Sequence, residues 1–312
     1  MLIDVRERVM DPIVTTTVIY ASILALIALG FTLQYVLMGI PNLAHTTIAF
    51  SSTYLTLTMF LLALSPYLAV PLAALYGGSV SFLLYRFLAF LRRRKVSLVG
   101  LMISTLVFDF AIYGGMNIYA EYIAYGLKAY TSSFILREAD FVFLGLPGIL
   151  FVSVLISAFF ATAFHLVLTR TRFGVAMRSI VENESLAKVD GVNVDRVLAI
   201  SWFFVGAVGG AAGALYPLWF SMDPWVSTVM LTTVFAASVV GGVRSIYGSL
   251  AGGLVIAVTE IFGTSGLSDL FGPVMWAYRA AIPIAATCFV LLVMPQGLGG
   301  FVSQLHRRRA RA

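Results

Sequence analysis

Residues 12–85 form a run of 74 positions without a single Asp, Glu, Lys or Arg. A soluble domain carries about 25% charged residues. This chain carries 11%, against 60% hydrophobic residues. About 20 apolar residues suffice to cross a bilayer as a helix, so the run spells three crossings, at 13–38, 43–64 and 67–91. Further crossings are expected at 96–118, 141–168, 197–219, 226–243, 246–262 and 276–294. The pair 226–243 and 246–262, divided by "GGVRS", reads either as two thin helices or as a hairpin that does not fully cross. The expected fold is all-α: a polytopic membrane helix bundle of eight to nine transmembrane helices, one transmembrane domain over residues 1–312. The apolar run after "MLIDVRERVMDP" is too long for a signal-peptide core and lacks a small-residue cleavage site, so the chain is read as mature.

The basic balance, +6 net with a pI near 9.5, has a membrane explanation rather than a nucleic-acid one. Lys and Arg near span ends mark the cytoplasmic side. "RRRK" at 92–95, the 169–196 loop and the tail "HRRRARA" hold 13 of the 20 Lys and Arg residues. The 119–140 loop holds only Lys128 and Arg137, with Glu121, Glu138 and Asp140. Placing the first three inside and the last outside agrees with every intervening span. The C-terminus is then cytoplasmic; the N-terminus is outside with nine spans and inside with eight. Cys288, the one cysteine, lies in an apolar run and forms no internal disulfide.

Ionisable groups within spans cost about 2.5–3.5 kcal/mol each on insertion scales and are functional candidates by default. His45, Asp109, His165, Arg244, Glu260 and Arg279 qualify by position. His165 and Arg279 sit near span ends, within reach of the interface, and Arg244 falls at a bend. Asp109, mid-span in "TLVFDFAIY", must face protein or water. Glu260 either lines an outer vestibule or holds helices together. The glycines of "VGAVGGAAGALY" and "GSLAGG" recur one turn apart, the spacing that lets helix backbones approach closely in lipid.

No enzyme constellation is present: no HExxH, no GxSxG, no paired-cysteine metal site. No cofactor is implied. The chain has no "GK" dipeptide and hence no P-loop; an ATP-driven process would need a nucleotide site on another polypeptide.

The 169–196 loop, "TRTRFGVAMRSIVENESLAKVDGVNVDR" within its flanks, reads as two short helices. One covers 174–181. Asn183 caps a second, with Glu184 in its first turn and Lys188 in its last, which suits the helix dipole. Gly191 supplies a left-handed stop and Asn193 caps the next span. Ile180, Val181, Leu186 and Val189 give this piece an apolar side outside the membrane, the pattern of a helix that docks into a partner's groove.

Four segments together resemble the inner-membrane permeases of branched-chain amino acid ABC importers, the LivH/LivM type. "ALGFTLQYVLMGIPNLAHTTIAFSSTY" is similar to the family's N-F-A-H-G region, with Asn42, Ala44, His45 and Tyr54 in place. The 169–196 loop and the span after it look like the family's cytoplasmic loop and its successor. "FAASVVGGVRSIYGSLAGGLVIAVTE" resembles G-G-x-G-S-x-x-G-A-x-x-G-G, with Gly241, Gly242, Ser245, Gly248, Gly252, Gly253 and Glu260 in register. "LLVMPQGLGG" resembles the closing R-P-x-G-L-F-G through Pro295, Gly297 and Leu298. Departures are Thr46 for glycine, Thr47 for an acidic or small residue, Arg244 for glycine, Tyr247 for proline and Met294 for arginine.

The resemblance implies ABC-importer permease architecture: a pair of permeases, identical or different, two cytoplasmic ATPases and an extracellular substrate-binding protein, in the plasma (inner) membrane. It further implies that the 169–196 loop is the coupling element, with Arg178, Glu182, Glu184, Leu186, Ala187 and Gly191 as coupling residues. Branched-chain amino acids are the first expectation for substrate; other amino acids, short amides and urea compete.

Proline 41 removes a backbone donor and biases Ile40 away from helix. In lipid such a break is tolerated only where protein or water satisfies the freed groups. Asn42 and His45 follow, three apart and so on one face, and Thr46, Ser51, Ser52 and Thr53 extend the polar character. This segment is expected to open the second span and to face the pathway, offering donors and acceptors to a passing zwitterion. The translocation-pathway residues expected are Asn42, His45, Thr46, Asp109 and Glu260; the structural alternative is that Asn42 and His45 brace helices. Two rival classes are an ion-coupled secondary transporter using Asp109 and a membrane enzyme using His45 with an acid.

Overall fold

The computed structural model describes residues 12–128, 131–294 and 297–300. The N-terminal stretch, Pro295 of the closing motif and the "HRRRARA" tail lie outside the described residues.

Its helices are α1 (Pro12–Met38), α2 (His45–Ser51), α3 (Thr53–Leu61), α4 (Ala69–Arg93), α5 (Leu98–Leu127), α6 (Gly148–Arg170), α7 (Arg172–Glu182), α8 (Glu184–Val189), α9 (Val194–Leu215), α10 (Val226–Gly241), α11 (Ile246–Phe271) and α12 (Ala281–Val293). Seven are long and apolar enough to cross a membrane once the turn Pro66–Leu68 is counted with α4 and residues after α12 with α12. The shorter α10 and the jointed pair α2–α3 bring the apolar segments among the described residues to nine.

Helix α1 is apolar all round and buried along most of its length. A helix of that kind belongs in an interior, and α1 is the bundle's axis together with α9, also buried over most of its span. By contrast α5, α6 and α12 leave most of their apolar windows uncovered, the condition of lipid-facing helices. Helix α9 seats against α4 through its glycines. A Cβ on Gly210 would lie 2.1 Å from the Ala73 carbonyl oxygen, and one on Gly77 2.3 Å from that of Gly206. Backbone meets backbone, as the four-residue spacing predicts.

The break at Pro41 falls where expected. Gly39, at φ +72, ends α1, and the chain re-enters the bundle at His45. Between α2 and α3 the Ser52 N–H reaches the Ala49 carbonyl at 3.3 Å, a tightened joint rather than a second break.

Several boundaries differ from expectation. Helix α5 extends to Leu127, nine residues beyond the predicted 118. The fifth expected span, 141–168, starts only at Gly148, because Val142–Phe143 and Leu146–Pro147 form a hairpin, β1 and β2. Its turn residues Leu144 and Gly145 have φ of 53° and 78°, as a two-residue turn matched to strand twist requires. The α10–α11 pair is unequal: α11 has 26 residues, whereas the 16 residues of α10 reach about 24 Å at 1.5 Å per residue. Residues 276–280 are not part of α12; a 3₁₀ turn, Pro273–Tyr278, precedes it.

The packing sorts the charged segments by end. Residues 92–95 and 169–196 meet at one end, where Arg93 pairs with Asp195 at 2.7 Å and Arg92 pairs with Glu184. The opposite end holds Arg137, whose guanidinium stacks 4.3 Å over Trp219. The Trp219 indole N–H donates to Thr16 Oγ1 at 3.0 Å, so α1 starts at the end remote from the 169–196 segment.

Candidate translocation core and coupling surface

Helix α2 carries the polar residues of the opening motif into the interior between α1 and α9. Asn42 Nδ2 donates to Gln34 Oε1 at 2.8 Å, and Gln34 Nε2 donates onward to Ser81 Oγ at 3.1 Å. Asn42 Oδ1 accepts the Ala44 N–H at 3.1 Å. One amide therefore ties α1 and α4 to the turn that Pro41 opens, and restores order where a backbone donor is missing. The Leu43 N–H finds Thr105 Oγ1 of α5 at 3.2 Å.

The His45 ring lies between α1 and α9, with Nε2 3.1 Å from the Ile27 carbonyl oxygen. Glycines make the slot: a Cβ on Gly30 would sit 2.9 Å from the ring, and one on Gly209 3.4 Å from it. Asn42, His45 and Thr46 are all buried. Asp109 of α5, half-buried, approaches Thr47.

Five buried side-chain atoms lack a protein partner among the described residues, and three of them belong to this neighbourhood: His45 Nδ1, Thr46 Oγ1 and Asp109 Oδ1. Leaving a buried polar group unpaired costs about 1–3 kcal/mol, so such a concentration calls for an explanation beyond packing.

Glu260 does not join that group. It lies across α1, where its Oε2 accepts from the Tyr20 hydroxyl at 2.9 Å and its Oε1 pairs with Arg279 Nε. The Arg279 guanidinium stacks 4.6 Å from the Tyr20 ring centroid. Arg279 is thus engaged with a buried carboxylate, not extended to the interface as its position near a span end suggested. His165 Nδ1 meets the Tyr247 hydroxyl at 2.8 Å.

The 169–196 segment folds from its caps. Thr171 Oγ1 accepts the Gly174 N–H at 3.1 Å, Asn183 Oδ1 that of Leu186 at 3.0 Å, and Asn193 Oδ1 that of Arg196 at 3.0 Å. Gly191, at φ +85, turns the chain into α9, a conformation that a Cβ disfavours. Arg178 donates to the Leu168 carbonyl and fastens α7 to α6. Glu184 also holds Lys188 at 2.7 Å. Burial alone would raise the Glu184 carboxyl, but its bonds to Lys188 and Arg92 outweigh that and hold it below its ordinary value.

Of the residues expected to form an apolar docking side, Val181, Leu186 and Val189 are exposed. Ile180 is not: with Met177 and Ala187 it faces the bundle, because helical phase turns it away from Val181. Glu182 stands exposed beside the apolar side. The structure thus separates the coupling candidates into exposed (Glu182, Leu186), tethering (Arg178, Glu184), turning (Gly191) and buried (Ala187). Gln34, Ser81, Thr105, Tyr20 and the engagement of Arg279 escaped the sequence reading. An amide in the apolar stretch "GFTLQYVLM" was the signal available for Gln34.

A lipid-facing helix bundle with a polar interior and a capped, apolar-sided helix pair at its basic end is a membrane permease built to work with other subunits. The chain belongs to the family described as branched-chain amino acid transport system / permease component, whose profile matches residues 13–294. The probable branched-chain amino acid transport permease protein LivH of Methanocaldococcus jannaschii is 34% identical over 301 residues, covering 96% of this chain and 95% of that one. The high-affinity branched-chain amino acid transport system permease protein LivH of Salmonella typhimurium is 25% identical, covering 89% and 92%. The guanosine ABC transporter permease protein NupQ of Bacillus subtilis is 26% identical, covering 91% and 92%. Among solved structures, PsaBC from Streptococcus pneumoniae in complex with Fab shares the fold, with a TM-score of 0.55 at 12% identity, covering 92% of this chain and 94% of that one.

Proposed function

We propose that the chain is the permease subunit of an ATP-driven importer in the plasma membrane, moving branched-chain amino acids or related small solutes. It pairs with a second permease, receives solute from an extracellular binding protein, and is driven by two cytosolic ATPases. The observation that carries this reading is the exposed row Val181, Leu186 and Val189 on capped helices at the basic end. An apolar side standing clear of both bundle and lipid needs a protein groove to cover it. Basic residues at that end make it the cytosolic one, so α1 begins outside and nine segments cross. Gly299 and Gly300, the last described residues, border the same end, which supports a cytosolic C-terminus.

ATP-driven closure of the partner subunits presses α7–α8, and α9, continuous with Gly191, carries the displacement into the core. There His45 Nδ1, Thr46 Oγ1 and Asp109 Oδ1 offer polar contacts to a solute as the helices separate. Relatives whose names specify amino acids and nucleosides share this scaffold, so solute choice rests largely with the binding protein.

The test is reconstitution in liposomes with the ATPases and the binding protein. Leu186→Asp and Val189→Asp, each on the exposed side, are expected to abolish solute-stimulated ATP hydrolysis and uptake while the permease still folds and inserts. Uptake by the permease alone, driven by an ion gradient, would overturn the reading in favour of a secondary transporter using Asp109. Competition by leucine, urea and guanosine in the same assay identifies the solute.

A further inference from the structure

We infer that this permease has a binding site for the phosphate headgroup of an anionic phospholipid, at the end of the bundle that carries α7 and α8. A cavity of about 860 Å³ opens between the C-terminal end of α6, helix α7, the α10–α11 turn and α12. Its polar lining includes Arg178, Arg244, Thr169, Ser245 and Tyr247. Its apolar wall includes Val239, Ile246 and Leu291.

The charge in it is one-sided. Among the described residues, both charged side chains in the lining are arginines and no carboxylate borders the cavity. Arg178 uses one N–H on the Leu168 carbonyl, which leaves the rest of its five-donor fork. No acceptor among the described residues engages the Arg244 guanidinium. Two guanidinium groups facing one space repel each other and together favour an anion, and the planar fork matches phosphate oxygens. An apolar wall beside those donors suits an acyl chain and gives a free inorganic anion nothing.

Just beyond Gly300, which borders the cavity, the sequence continues into a tail with Arg307, Arg308, Arg309 and Arg311. Arg178 belongs to α7, so a bound headgroup would brace the coupling segment. That last consequence rests on the proposed function; headgroup binding does not.

The experiment is native mass spectrometry of the full chain released from neutral detergent with phosphatidylglycerol, phosphatidylcholine or inorganic phosphate added. The wild type is expected to retain one phosphatidylglycerol in preference to phosphatidylcholine. Arg244→Gln is expected to lose at least tenfold in that retention and Arg244→Lys to keep much of it; circular dichroism confirms that each folds. Equal retention of the two lipids, or an unaffected Arg244→Gln, overturns the proposal. So does displacement by millimolar phosphate, which would mark a free-anion site. Loss on deleting residues 301–312 while Arg244→Gln still binds would assign the lipid to the tail and overturn it as well.

Discussion

Removing the Glu260 charge tests whether the Tyr20–Glu260–Arg279 cluster is a coupled unit. Glu260 is almost wholly buried and Arg279 largely so, with side-chain exposures of 2% and 21%. In Glu260→Gln the amide oxygen keeps the Tyr20 hydroxyl as donor, but Arg279 loses its counter-charge in a site poor in water. Breaking one side of a buried ion pair costs about 3–5 kcal/mol; the guanidinium's stacking on Tyr20 is present before and after the substitution and offsets none of it. Arg279→Met strands the carboxylate instead and should cost about 3–5 kcal/mol. The double variant Glu260→Leu/Arg279→Met removes both charges and leaves the Tyr20 hydroxyl only the Met230 sulfur, 3.5 Å away, as acceptor, a cost of up to about 1–3 kcal/mol. The double variant should therefore be no worse than either single one. Reversible unfolding in mixed micelles, followed by far-ultraviolet circular dichroism, measures all three against wild type. Additive losses would refute the argument, because additivity means that the two side chains do not sense each other.

Three further outcomes follow. Gly210→Val drives a side chain into the Ala73 carbonyl and should cost at least the roughly 1–3 kcal/mol of an overpacked core, measurable by the same unfolding, whereas Gly266→Val, with open space around it, should be tolerated. His45→Ala removes the polar ring from the core; if that ring offers one hydrogen bond to the solute, worth about 1.4 kcal/mol or tenfold, uptake in the reconstituted complex drops by about that factor, and unchanged uptake with normal stimulated ATPase eliminates the role. Because the Glu184 carboxyl is held below its ordinary value, its pairing stabilises α8 fully above about pH 4.3, the unperturbed figure, and is lost as pH falls through the lowered folded value. A spin label at Ser185 should gain mobility over that interval, and in Glu184→Gln it should be mobile at every pH; a label indifferent to both changes would show that the ion pairs do not hold α8.

What the sequence disclosed follows from the range of the forces involved. The crossings could be read because burial in lipid demands long apolar runs, and the second small helix and the start of α9 could be read because caps are local, from Asn183 and Asn193; the Thr171 cap of α7 was not read. The hairpin at 142–147 was hidden because Leu144 at positive φ carries none of the usual turn chemistry. Long-range pairings were hidden for a different reason. Nothing in the vicinity of Arg279 announces that a turn after α11 will fold back onto Glu260, nor does any local pattern tell Asn42 that Gln34 and Ser81 will share its amide. The orientation of Ile180 was misread because one residue's helical phase decides between groove and bundle, and a run of apolar letters does not state the phase.

The seam between α4 and α9 has a mechanical consequence. Where carbonyl and Cα lie in direct contact at Ala73, Gly77, Gly206 and Gly210, no intervening side chain can change rotamer and absorb a push. The two rods therefore shift as a single stiff beam, joined at one end to the α7–α8 pair through Gly191 and the Arg92–Glu184 ion pair. Force applied at the α7–α8 end is spent at the far end of the beam rather than along it, and motion has to be accommodated on the softer, lipid-facing helices around it.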